Sequence, residues 1–109
     1  MRYALVVYRD EAAVPIAEAD QLGALNAFAS ELGSRLLGAT RLRPAATATK
    51  VQVSEGGLVI ADGPFAETKE QIGGFFIVEC ADLDEAIEVA ALLPMARYGT
   101  IEVRPVWEM

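Results

Sequence analysis

The stretch "DGPFAETKEQIGG", Asp62 to Gly74, gathers Asp62, Glu67, Lys69 and Glu70 into one short connection. Carboxylates exchange protons near neutral pH when their surroundings shift them, and a nearby lysine stabilises an anion. Further on, "IEVRPV" sets Glu102 and Arg104 on one side of a strand. A guanidinium so placed offers a forked grip on a carboxylate or phosphate. Cys80, Tyr8, Tyr98 and Arg97 complete the groups with useful chemistry. The chain has no histidine. That absence removes Ser-His-Asp triads, Cys-His dyads, HExxH zinc sites and most transition-metal sites. Proton transfer would fall to carboxylates, tyrosine, lysine, the thiol or water.

Each of these residues also has a purely structural use. Asp62 either caps the backbone N–H groups of its own turn or serves a cleft as base or ligand acceptor. Thr68 to Gln71 reads equally well as one turn of helix. Its charges form a solvated face, or Lys69 or Glu70 lines the mouth of a cleft. Glu102 and Arg104 form either a solvent-facing ladder at a sheet edge or an anion anchor in that cleft. Phe65 is expected to plug the space beneath its loop. Tyr8 and Tyr98 are expected in core or interface packing ahead of proton donation. Arg97 is expected to cap the preceding helix end. Cys80 has no neighbouring cation or base in sequence, which points to a buried or semi-buried, inert thiol. Gly73 and Gly74 answer a backbone need, a bulge or a close approach. No GxxxxGK[ST] or GxGxxG phosphate loop is present. No EF-hand spacing exists either, so no metal and no cofactor is expected.

The elements that must position these groups are legible in the pattern. "YALVVY" is apolar at nearly every position, as in a strand buried on both faces. A helix is predicted from about Ile16 to Leu37, with Leu22, Leu25, Phe28, Ala29, Leu32 and Leu36 as its stripe and Gly38 as its left-handed stop. "ATRLRP" reads as a short strand. "ATATKVQV", "SEGG" and "LVIA" read as a hairpin ended by the Asp-Gly turn. "GFFIVEC" is a second strand apolar on both sides. In "DLDEAIEVAALLP", Asp82 and Glu85 suit a capping box, Leu83, Ala86, Ile87 and Ala90 the buried face, and Pro94 the stop. "TIEVRPV" closes as a strand. The order predicts a single α+β domain over residues 1–109: a ferredoxin-like, mostly antiparallel sheet with two helices on one face.

Charge and length bound the function. There are 16 acidic and 9 basic side chains, a net charge of -7, and no basic run. Phosphate-backbone attraction is absent, so no nucleic-acid partner is expected. "ALVVY" is too short for a signal-peptide core, and no stretch reaches the roughly 20 apolar residues of a membrane span. A cytoplasmic protein without membrane contact is the expectation. Two helices can shield only one face of the sheet, yet Tyr3 to Tyr8 and Phe75 to Val78 are apolar on both. A second copy, facing sheet to sheet, is the expected cover. Asp62, Lys69, Glu70, Glu102 and Arg104 are then the candidate ligand-binding residues of the cleft between the sheets.

From Thr47 to Val106 the chain resembles the DGPF-type branch of the YCII-related family. The DGPF turn, "AETKEQ", "GGFF", "DLDEA" and "IEVRPV" carry the likeness in register. The resemblance implies a dimeric α/β-barrel fold and says little about chemistry. YCII-type relatives have been proposed to be enzymes because of a His-Asp pair, which a chain without histidine cannot form. The wider superfamily holds cofactor-free isomerases and monooxygenases as well as binding modules. It also implies a regulatory association with an alternative sigma factor. Two readings follow: a ligand-binding or interaction module, or a cofactor-independent enzyme acting on a small organic molecule.

Overall fold

The computed structural model describes residues 1–13 and 18–108. It contains β1 (Arg2–Arg9), α1 (Glu18–Leu32), β2 (Leu36–Arg41), β3 (Thr49–Ser54), β4 (Gly57–Asp62), β5 (Gln71–Glu79), α2 (Leu83–Ala91) and β6 (Gly99–Pro105). Strands β2-β5-β1-β6 form one sheet in that order, and β3-β4 form a separate two-stranded sheet. Every pairing is antiparallel. This is the α+β, ferredoxin-like plan, with a hairpin inserted between its second and third strands.

Period-two alternation sorts the strand residues onto two faces. Tyr3, Leu5 and Val7 of β1 stand level with Val78, Phe76 and Gly74 of β5 and with Pro105, Val103 and Ile101 of β6. That face takes the helices. Its core joins Tyr3, Leu5, Val7, Phe76, Val78 and Cys80 to Phe28 and Leu32 of α1 and to Ala86, Val89 and Ala90 of α2, with Leu93 beyond. Phe28 and Phe76 meet edge to face at 5.4 Å between ring centroids. Leu5, Val78 and Leu93 are the largest side chains removed entirely from water. Each contributes about 1.5–3 kcal/mol by that removal. Cys80 is buried here, as expected, and burial raises its thiol pKa above the usual 9.0.

The helices depart from the sequence pattern in instructive ways. The expected start of the first helix at Ile16 lies outside the described residues. Its end is earlier than expected: Gly33, with φ of +55°, stops it, while Gly38 sits inside β2. Leu36 therefore belongs to a strand and not to the helical stripe. The apolar run continued past the stop because β2 also needs a core-facing side chain, and Leu36 supplies it. In α2, Asp82 accepts a hydrogen bond from the Glu85 backbone N–H at 2.9 Å. The reciprocal half of the capping box is replaced, because the Glu85 carboxylate takes Arg35 at 3.1 Å. The buried face of α2 is Ala86, Val89 and Ala90, and Leu83 and Ile87 are exposed. The helix has turned its small residues to the sheet so that it packs closely.

The paired glycines serve two different needs. Val7 pairs with Gly74 and Tyr8 with Ile72, so Gly73 is the extra residue of a β-bulge. Gly74 lies flat against β2: a Cβ there would sit 2.4 Å from the Thr40 carbonyl oxygen. Gly74→Ala should therefore destabilise the fold by about 1–3 kcal/mol, as overpacking does. Gly73→Ala, whose Cβ would meet only the Arg9 side chain at 3.6 Å, should cost well under half as much. Urea unfolding of the two variants checks the order; equal losses would remove the close approach as the reason for Gly74.

Candidate functional site

The face of the sheet away from the helices has no cover among the described residues. Ala4, Val6 and Tyr8 of β1 lie level with Ile77, Phe75 and Ile72 of β5. Thr100, Glu102 and Arg104 of β6 stand beside Tyr8, Val6 and Ala4. The result is an apolar floor with one polar border. Along that border Arg104 donates to Glu102 at 2.8 Å, and the Thr100 hydroxyl donates to the Glu70 carboxylate at 3.0 Å. Glu79 at the other end of β5 binds the N-terminal ammonium at 2.9 Å.

Three of the five candidate residues are thus brought together: Glu70, Glu102 and Arg104 follow one edge of the open face. They do not form a catalytic cluster within one copy. Thr100, which holds Glu70, is four strand positions from Arg104, roughly 13 Å along β6. Arg104 is already engaged by Glu102.

The other two candidates lie elsewhere. Asp62 ends β4 opposite Thr49, exposed, and its carboxylate makes no hydrogen bond among the described residues. The DGPF turn is held by the backbone instead: Gly63, at φ of +95°, donates its N–H to Ala48 O at 2.8 Å. Lys69 is exposed beside a crevice bordered by Asp10, Glu11 and Glu67.

The segment 67–71 is not a turn of helix. Gln71 folds its side-chain amide back onto Ala66 O at 2.8 Å and Thr68 O at 3.2 Å, which ties the loop without a helical ladder. Phe65 projects into solvent and plugs nothing, because the turn that carries it is not packed on the core. Tyr98 is likewise exposed, and Tyr8 is half-buried on the open face.

A second site has no counterpart in the sequence motifs. Between α1 and the helix-covered face lies a cavity of about 240 Å³. Leu25, Phe28, Leu36, Phe76 and Met95 supply apolar walls, and Gly73 and Gly74 leave room at one side. Arg9 and Arg41 are its charged residues. The Arg9 stem lies against the β-bulge at Gly73. Its guanidinium has no ion-pair partner among the described residues. The signal was present in the chain: the bulge glycine and an arginine ending an apolar strand are both readable. Their meeting depends on the β1–β5 register, which a single sequence does not display. The described residues contain no group of three or more acidic or cysteine side chains able to hold a metal ion. No described helix is long and apolar enough to cross a membrane.

The family described as "YCII-related domain" matches residues 1–109. A relative from Rhizobium meliloti (strain 1021), described as an uncharacterised protein, is 40% identical over 114 residues, covering 96% of this chain and 91% of its own. With a match running from the first strand through the last, the chain belongs to the YCII-related domain family.

Proposed function

We propose that the chain is a non-catalytic binding module that works as a homodimer and takes a small ligand. The α1–sheet cavity carries this reading. At about 240 Å³ it lies just under the roughly 300–1,000 Å³ of pockets for drug-sized molecules, so its ligand is small. Its walls favour a compact apolar body, and the Arg9 guanidinium at its border favours an anionic head. A short-chain or aromatic carboxylic acid has both. The dimer follows from the open face, whose Val6, Phe75 and Ile77 need cover. In that dimer Glu70, Glu102 and Arg104 border the cleft between the sheets. Asp62 and Lys69 lie apart from that border. A protein partner of regulatory type, such as an alternative sigma factor, would sense the loaded module.

Three measurements test these points. In a thermal-shift panel, small apolar carboxylates at millimolar concentration should raise Tm by several degrees, because a ligand that binds only the native state stabilises it. The matching alcohols and amines should not, and Arg9→Gln should cancel the shift. A flat response across the panel would end the ligand reading. Light scattering should give twice the 11.7 kDa of one chain at micromolar concentration; a single-chain mass would end the dimer. Co-elution of the purified module with a sigma factor should change when a panel carboxylate is added; no complex with or without it would remove that partner.

A further inference from the structure

The β3–β4 hairpin is exposed along both of its strands. All its strand residues are exposed except Lys50, which is half-buried. Its register pairs Val51 with Ile60 and Val53 with Leu58, and alternation puts these four side chains on one face. They are 61%, 60%, 81% and 63% exposed respectively. The other face mixes Lys50, Gln52 and Ser54 with Val59 and Ala61. A two-stranded hairpin is marginal alone in water. This one leaves its wholly aliphatic face as open to solvent as its mixed one.

The molecule's shape says the same. Its radius of gyration is 15.8 Å, against roughly 13 Å for a compact domain of this length. It measures 48 × 39 × 19 Å, a slab one sheet and one helix layer thick with an arm beyond it.

We infer that the hairpin is an exchanged arm: in a two-fold dimer of this chain, each copy lays its Val51–Val53–Leu58–Ile60 face over the open sheet face of the other. The exchange presupposes the dimer proposed above and assigns the surfaces that make it. A second copy fits because the chain carries both halves of the contact. One is a flat aliphatic β-face on the arm, the other a flat apolar β-face on the sheet, and β-faces pack closely on one another. A two-fold axis satisfies both at once, since the same patch is used on each side. The four aliphatics present on the order of 400 Å² per arm, the size at which an exposed patch marks an interaction site. Two arms and the two faces they cover bury on the order of 1,600 Å² in total, the standard size for a stable complex. Net charge opposes the contact, at -7 per copy, so apolar area must hold it. Added salt should therefore tighten the dimer.

Hydrogen exchange on the full chain, followed by mass spectrometry at concentrations above and below dimer dissociation, tests the arm. Peptides from Thr49–Asp62 should exchange at least tenfold more slowly in the dimer than after dilution. Val51→Thr with Ile60→Thr keeps strand-forming residues and should leave far-UV circular dichroism unchanged. It should weaken dimerisation tenfold or more, while Lys50→Ser with Gln52→Ser on the opposite face leaves it within twofold. A dimer whose arm exchanges freely at every concentration would overturn the exchange and leave the dimer standing. A particle of single-chain mass at every concentration would overturn both. Equal weakening by the two double variants would also overturn the assignment, because the aliphatic face would then not be the contact.

Discussion

Strand β1 lies between β5 and β6, and the rest of the fold hangs on that position. Tyr3, Leu5 and Val7 turn toward the helices and fill the core. Ala4, Val6 and Tyr8 turn the other way, onto a face with no helix. Strands apolar at nearly every position are typical of sheets covered on both faces. The core satisfies one face through Phe28, Leu32, Val89 and Leu93. The other face has no such cover among the described residues, and the polar border of Glu70, Thr100, Glu102 and Arg104 runs along it.

The cavity between α1 and the sheet has a different origin. It lies inside the covered layer, where the β-bulge at Gly73 and the bare backbone of Gly74 leave space that larger residues would fill. The bulge also changes which residues stand opposite one another, so that Arg9 pairs with Gln71 at the end of the ladder. One irregularity in one strand thus sets both the free volume and the charge beside it. The charged loop 67–71, chemically the richer stretch, is spent on its own geometry: Gln71 ties the loop and Glu70 holds Thr100.

Much of the architecture was legible in the sequence, and the reasons are local. The double-sided apolar runs of β1 and β5 marked central strands. The alternation of Ile101 and Val103 with Glu102 and Arg104 gave the two faces of β6 directly. Asp82 fixed the start of α2 through a single side-chain bond. What escaped was set by tertiary packing. Nothing in the run from Leu32 to Leu37 shows that the chain leaves helix at Gly33, since leucines suit the stripe and the strand alike. The inward face of α2 followed close packing of small residues and not the largest hydrophobics, which left Leu83 and Ile87 outside. Asp62 reads as a turn cap, yet glycine's positive φ and one backbone bond hold that turn without it. The candidate residues of β6 and Glu70 came together because they share one strand edge. Arg9's place beside the cavity was invisible because it depends on a register formed with residues far along the chain.

That register has a cost during synthesis. Tyr3 is paired with Val78 on one side and Pro105 on the other. A chain made from its amino end must therefore hold β1, greasy on both sides, until Glu79 has been added before its first ladder, with β5, can close. Contacts so distant in sequence slow folding, and the waiting strand is open to off-pathway association. The inserted hairpin, lying between β2 and β5 in the chain, lengthens that wait.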